Sequence, residues 1–169
     1  MSHTILDHRT SSSNPLDLVE DILVSNDWMF SRMSEDQIVI TFEGRCGIYR
    51  MRFEWQEAHG AMHFSCHYDM HLHRNNEELI ATVLRQINAD LWLGHFDVPF
   101  QDPVPVFRHT ALFRGQNIET LFHGVEDLVT IALQACEQYF SVFHILSLPE
   151  ADIDMSALSL ALMDVAGES

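Results

Sequence analysis

The chain has 169 residues, 47% of them apolar, and this length and composition suit one domain with a sizeable core. Acidic residues number 25 and basic residues nine, so the formal net charge of -16 argues against nucleic acid or an anionic membrane as a partner. All nine basic residues are arginine, which excludes chemistry that needs a lysine, such as Schiff-base formation.

The charge is uneven along the chain. All nine arginines lie at or before Arg114, whereas residues 115–169 carry nine carboxylates and no base. The cysteines Cys46, Cys66 and Cys136 form no short pairing motif, and the N-terminus has no basic-then-apolar signal pattern. These features predict a reducing, cytoplasmic location. No apolar run approaches the roughly 18 residues that a membrane helix needs.

The first half of the chain predicts a helix followed by an antiparallel meander. Residues 1–13 are polar and serine-rich, and we predict that they are disordered. A helix begins with Asn14 as N-cap and Pro15 at the first position, and it is expected to end near Asn26. Within residues 37–72, three segments then alternate apolar and polar residues, which predicts strands with one apolar and one polar face.

A second helix and two more strands are predicted next. Residues 76–93 have helical spacing, with Asn75 as the N-cap and Gly94 as the C-terminal stop. Two strands follow, at 95–100 and 104–113. Pro99, Pro103 and Pro105 interrupt them, which places at least one of these strands at a sheet edge.

The last third of the chain predicts two helices. Asn117 begins a helix over residues 118–140. Pro149 then separates this helix from a short amphipathic one, in which Met155, Leu158, Leu162 and Val165 share a face. A helix of this length is unstable alone in water. We therefore expect it to dock on its own domain or on a dimer mate, or to serve as a binding arm.

Five blocks of sequence resemble the YbjN family of bacterial proteins, which are described as sensory transduction regulators. The most specific is Ile87-Asn-Ala-Asp-Leu-Trp-Leu-Gly-His-Phe-Asp97, and the others are Asn14–Val19, Gly60–Ser65, Phe107–His109 and Glu126–Ala132. The resemblance implies an α+β fold similar to type III secretion chaperones, with a single antiparallel sheet and helices packed on one face. Combined with the predicted elements, the order is α-β-β-β-α-β-β-α. The resemblance also implies a protein-binding scaffold that pairs as a homodimer, and it brings no catalytic residues.

The chain is therefore divided into three parts. We expect a disordered N-terminus at 1–13, a YbjN-like α+β domain at 14–148, and an acidic C-terminal segment with a short helix at 149–169.

A histidine-rich segment is the strongest candidate for metal chemistry, with His67, Asp69, His71 and His73 at alternate positions. Alternate residues of a strand share one face about 6.6 to 6.8 Å apart, a spacing from which imidazoles can converge on zinc. The same pattern fits a solvated polar sheet face, and the family resemblance includes no such motif. We therefore predict no metal, with a metal-dependent sensor or enzyme that uses residues 63–73 as the alternative.

Two other constellations are better explained by structure than by catalysis. Cys66 and His67 are adjacent on a strand and point to opposite faces, so they form no dyad. His95 and Asp97 share a face and could form an oriented general base, but Asp97 is expected to pair with an arginine such as Arg108.

The sequence thus predicts a non-enzymatic protein-binding module, either a chaperone-like adaptor or a regulator that acts through protein contacts. No catalytic residue and no cofactor is predicted, and the three tryptophans, Trp28, Trp55 and Trp92, are interpreted as core and rim packing. The partner is expected to be a protein with a basic surface, because the last third of the chain is acidic. The candidate contact residues are Met155, Leu158, Leu162 and Val165.

Overall fold

The computed structural model describes residues 14–113 and 117–166 as one sheet with helices on one of its faces. The elements in chain order are α1 (Pro15–Ser25), β1 (Phe30–Ser34), β2 (Gln37–Glu43), β3 (Ile48–Gln56), β4 (Ala61–Tyr68), α2 (Glu77–Asp90), β5 (His95–Asp97), β6 (Val106–Leu112), α3 (Ile118–Gln138), α4 (Phe140–Leu146) and α5 (Met155–Ala166). The α+β class is confirmed. The predicted disordered terminus, residues 1–13, lies outside the described residues.

Neighbouring strands of the sheet all run antiparallel, in the order β1-β2-β3-β4-β6-β5. The predicted meander of β2, β3 and β4 is present. Phe64 lies opposite Phe53 and both are buried, whereas His63 is exposed, so the predicted register is correct. Strand β5 lies at one edge, in agreement with the position of the prolines.

Strand β1 is missing from the sequence prediction, because it carries a charge on its covered face. Arg32 lies opposite the buried Ile38, on the face that α1 covers. Its guanidinium contacts Asp17 of α1 at 2.9 Å and Glu20 at 3.2 Å. An ion pair therefore joins β1 to α1 where a strand pattern would have an apolar residue.

The caps predicted for two helices are confirmed. The Asn14 side chain accepts the N–H of Leu16 at 3.0 Å, and the Asn117 side chain accepts the N–H of Thr120 at 2.8 Å. The long helix is shorter than predicted, since α3 ends at Gln138 and the chain continues as the separate helix α4.

The predicted cap of α2 is wrong. Asn75 is exposed, and the buried Asn76 occupies the cap position without a capping hydrogen bond. The Asn76 side chain instead donates to the carbonyl oxygens of Leu146 and Leu148, at 3.0 and 2.9 Å. A long-range contact with the end of α4, which local sequence does not reveal, therefore fixes the start of α2.

The predicted end of α2 is also wrong, because the helix stops at Asp90 and Gly94 belongs to the turn before β5. Gly94 has a φ of +67°, in the left-handed region. A Cβ there would collide with the Phe107 ring and lie 2.8 Å from the carbonyl oxygen of Arg108. Glycine is thus required by both backbone conformation and space.

Helix α3 is fastened to the apolar face of the sheet at β4. The Tyr68 hydroxyl donates to the carbonyl oxygen of Cys136 at 2.7 Å, and the two Sγ atoms of Cys66 and Cys136 lie 3.6 Å apart. Both cysteines are free and fully buried, and burial raises the pKa of the Cys136 thiol. They act as small core residues.

The turn between β2 and β3 is tied to α3 by Glu137, whose side chain is only 5% exposed. The Cys46 N–H donates to Glu137 Oε1 at 3.2 Å, and Arg45 Nε lies 3.2 Å from Oε2. Burial opposes ionisation of this carboxyl, but these hydrogen bonds outweigh it and hold the pKa of Glu137 below its ordinary value.

Replacing Gly94 with alanine should destabilise the fold by about 2 kcal/mol, because the new side chain imposes left-handed strain and a collision with Phe107. Urea unfolding followed by circular dichroism measures this. The matched control is Gly124→Ala in α3, where a Cβ meets nothing within 4 Å, and it should gain up to about 1 kcal/mol of helix propensity. Equal stability of both variants would contradict the assignment.

Stability should fall as the pH drops below about 4.5, the ordinary pKa of the Glu137 carboxyl. The folded pKa is depressed, so the stabilisation is complete above the unfolded value and disappears as the pH falls through the folded one. Glu137→Gln should be less stable than the native chain at neutral pH and should lose less stability on acidification. Thermal unfolding across this pH range gives the comparison, and parallel curves would refute the role of Glu137.

Candidate functional site

The block 87–97 forms the end of α2, the loop after it and strand β5. The Asn88 side chain donates to the carbonyl oxygen of Phe96 at 2.9 Å and accepts the Phe96 N–H at 2.7 Å. Phe96 is buried, and Gly94 makes the turn. Trp92 is different, because it is 79% exposed. Asn88, Gly94 and Phe96 stabilise the fold, whereas the Trp92 side chain contributes little to the core.

The interpretation of the tryptophans as packing residues is therefore wrong for Trp92. Trp28 and Trp55 are half-buried and pack against the core. Trp92 follows the same apolar pattern in sequence but lies on a loop whose ends are fixed by other residues.

Trp92 stands between two clefts that run along α3. The first, of about 280 Å³, lies between the first half of α3 and the sheet, and the second, of about 560 Å³, lies beside the second half of α3. They share Trp92, Leu93 and Ile131. We call the two together the Trp92 groove, whose main lining residues are Phe53, Met62, Trp92, Leu93, Leu121, Gly124, Val125, Asp127, Leu128, Ile131, Gln134, Ala135, Gln138 and Asp90.

The Trp92 groove is long and acidic at its rim, with a mostly apolar first cleft and a second cleft lined by polar and apolar side chains alike. Its lining on α3 extends from Thr120 to Gln138, which corresponds to about 27 Å of helix at 1.5 Å per residue. Asp90 and Asp127 are exposed beside it, and no arginine lines it in the described part of the chain. The groove therefore offers apolar contact flanked by negative charge.

Gly124 has no side chain to fill the first cleft of the groove. It lies inside α3, where glycine costs up to about 1 kcal/mol relative to alanine, and a Cβ there would meet nothing within 4 Å. Neither crowding nor a positive φ requires this glycine. Its effect on the structure is to leave space above α3.

One histidine, His109 of β6, lines the first cleft and is half-buried. Burial, and then the neighbouring His95, lower the pKa of His109. The imidazole is consequently neutral at pH 7 and adds no positive charge to the groove.

The histidine-rich segment does not form the row of ligands that the alternative, a metal-dependent sensor or enzyme, requires. Strand β4 ends at Tyr68, because its partner β6 begins only at Val106, after Pro105, which has no N–H to continue the ladder. The alternation on which the metal hypothesis rested therefore stops before Asp69.

The four candidate ligands accordingly lie apart. His67 Nε2 lies 3.0 Å from Ser65 Oγ, Asp69 is exposed, and His71 pairs with Asp102 at 3.2 Å. His73 is half-buried at the entrance to α2. Within residues 14–113 and 117–166, no group of three His, Cys, Asp or Glu side chains is arranged to hold a metal ion.

Two of the four candidate contact residues of the C-terminal helix are buried. Leu158 and Val165 are 2% and 8% exposed and belong to the same core as the sheet, while Leu162 is half-buried against it. Met155 is 54% exposed. Helix α5 thus docks on its own chain, and the apolar side chains that it exposes are those of Met155, Leu160 and Met163.

The predicted pairing of Asp97 is correct, since Arg108 Nε lies 3.2 Å from Asp97 Oδ2. Cys46 is exposed in the turn before β3, where burial, and then Glu137, raise its pKa. An elevated pKa makes this thiol a weak nucleophile.

Comparison with known proteins places the chain in a family. Residues 15–144 match the model of the family YbjN, described as "Putative bacterial sensory transduction regulator". The chain belongs to the YbjN family. The family is described by a regulatory role and not by an enzymatic activity.

A solved structure supports the fold. The chain is similar to YbjN from E. coli, described as "a putative transcription regulator", with a TM-score of 0.58 and 16% sequence identity over 79% of this chain and 96% of that one. No curated protein matches the chain. None of the described helices has the length and apolar character required to cross a membrane.

Proposed function

We propose that this YbjN-family protein is a non-enzymatic cytoplasmic regulator that binds a helical segment of another protein in the Trp92 groove. The observation that carries this proposal is the exposure of Trp92 between an apolar cleft and a second cleft of mixed polarity. Large exposed aromatic side chains beside apolar clefts are typical anchors of protein interfaces.

The dimensions and charge of the groove define the partner segment. A groove about 27 Å long accommodates roughly five turns of helix. Its floor suits an amphipathic helix that presents an apolar stripe. Asp90 and Asp127 at the rim favour arginine or lysine beside that stripe, which agrees with the acidic character of residues 115–169.

The groove can be tested with two substitutions that change different parts of it. Trp92→Ala removes the exposed anchor, and Gly124→Leu fills the floor of the first cleft with a better helix former. Each should reduce partner capture from source-cell lysate about tenfold or more, as expected for loss of an interface anchor. Quantitative mass spectrometry of the captured proteins measures this.

The control is Phe100→Ala, which removes another aromatic side chain of similar exposure, 76%, from a different cleft. This variant should retain the captured partner, and none of the three variants should lose more than about 0.5 kcal/mol of unfolding free energy relative to the native chain. A partner captured equally by Trp92→Ala, Gly124→Leu and the native chain would refute the groove as its binding site.

We further propose that the protein pairs as a homodimer through helix α5. Met155, Leu160 and Met163 are 54%, 59% and 69% exposed, and they lie within an arc of about 140° on one side of the helix at 100° per residue. The opposite side of α5 is anchored in the core by Leu158 and Val165. An apolar patch on a fixed helix can pair with its own copy about a two-fold axis.

Sedimentation at micromolar concentration should therefore give a species of twice 19.5 kDa. Met163→Glu should shift it to the monomer, because the carboxylate would be buried without a partner at the interface. Met29→Glu is the matched control, since Met29 is 88% exposed at the β1 end of the sheet and should leave the dimer intact. A native monomer at all concentrations would contradict the proposal.

A further inference from the structure

The second face of the sheet, which none of the described helices covers, carries a concentration of arginine. Three of the arginines that the structure describes point to this face from the middle of the sheet: Arg50 and Arg52 on β3, and Arg108 on β6. We call this the open face. It is notable in a chain whose formal net charge is -16.

The strand register brings these three side chains close together. Arg52 lies opposite Ser65, and Ser65 lies opposite Arg108, so the two arginines flank one residue of β4 in a single row. Arg50 lies opposite His67 in the next row. Strand spacing places the Arg52 and Arg108 Cα atoms about 10 Å apart and those of Arg50 and Arg52 about 7 Å apart, within reach of converging guanidinium groups.

The charges on this face are only partly neutralised. Arg108 pairs with Asp97 at 3.2 Å, but Arg50 and Arg52 form no ion pair with any described residue. The Nε of Arg52 is buried and has no hydrogen-bond partner among the described residues. A buried guanidinium N–H without an acceptor is costly, which points to an acceptor that the isolated chain does not provide.

An independent indication comes from His67, which lies between the arginines. Burial, and then the charges of Arg52, Arg108 and Arg50, lower the pKa of this imidazole. The positive charges of all three guanidinium groups thus reach the His67 imidazole. Acids also lie near this face. Asp97 pairs with Arg108, Asp102 acts in the opposite direction on the pKa of His67, and Glu54, two residues from Arg52 on β3, accepts a hydrogen bond from Gln37 at 2.8 Å.

The shape of the open face selects the class of ligand. A cleft on this face, between Glu54, His63, His95 and Arg108, has a volume of about 120 Å³, well below the roughly 300 Å³ of a small-molecule site. Arg50 and Arg108 are exposed, and Arg52 is half-buried. Nucleic acid is disfavoured, because the rest of the chain would repel a dense row of phosphates.

We propose that the open face binds an acidic segment of a protein, whose Asp or Glu carboxylates pair with Arg50, Arg52 and Arg108. Arginine forms bidentate hydrogen bonds with carboxylates, and an extended acidic chain can present several carboxylates to three neighbouring arginines. This surface is separate from the Trp92 groove, and the inference does not rest on the function proposed for the groove.

The test uses a fluorescent poly-glutamate peptide as the probe, with fluorescence anisotropy at low and at physiological salt. The native chain should bind it, with affinity falling as salt rises. Arg50→Gln/Arg52→Gln should weaken binding at least about tenfold. The matched control is Arg74→Gln/Arg85→Gln, which removes the same charge from exposed positions off the sheet and should change affinity less than about twofold.

Equal weakening by the two double variants would show that only net charge matters and would overturn the site. Binding of poly-glutamine as strongly as poly-glutamate would overturn it as well, and so would displacement of the probe by inorganic phosphate at equal concentration, which would indicate a small-anion site. The single variant Arg50→Gln, at an exposed position, keeps the test valid if the half-buried Arg52 is needed for folding.

Two further outcomes bear on the proposal. Trp92→Ala should bind the probe as well as the native chain, so failure of the groove and failure of the open face are distinguishable. Self-association that is lost at high salt and in Arg50→Gln/Arg52→Gln would support the open face and identify the acidic segment as one from a second copy of this chain.

Discussion

The two hydrogen bonds between the Asn88 side chain and the backbone of Phe96 fix the loop that carries Trp92. They join the last turn of α2 to the edge strand β5. The Phe96 ring is then fixed in the core, 5.6 Å from the Phe107 ring and 5.2 Å from the Phe143 ring by their centroids. Because the loop is anchored at both ends, Trp92 is kept in solvent instead of folding onto the core.

Most of the fold follows from local patterns in the sequence. The alternation in residues 37–72 predicts β2, β3 and β4 because one face of each strand is buried and the other is not. Two features depend on distant partners and are invisible locally: Arg32 is acceptable on the covered face of β1 only because α1 supplies two carboxylates, and Asn76 begins α2 by bonding to the end of α4.

The candidate site was harder to predict than the fold. The sequence marks the block 87–97 but does not distinguish Trp92 from packing residues. Leu91 and Leu93 on either side are also apolar, and the burial of all three side chains depends on the loop conformation. The glycine at Gly124 was a usable signal, because a helix interior disfavours it. The alternation of His67, Asp69, His71 and His73 does not place them on one strand face, because β4 ends at Tyr68, where Pro105 limits the pairing.

The two proposed surfaces use opposite sides of the same strands. On β3, Phe53 contributes to the Trp92 groove, whereas the adjacent Arg52 points to the open face. On β4, Met62 contributes to the groove, whereas Ser65, opposite Arg52, points to the open face. Because successive side chains of a strand point to opposite faces, the Trp92 groove with its acidic rim and the open face with its arginines lie on opposite sides of one sheet. A basic helix in the groove leaves the open face uncovered, so two partners of opposite charge can bind at once without competing for the same side chains.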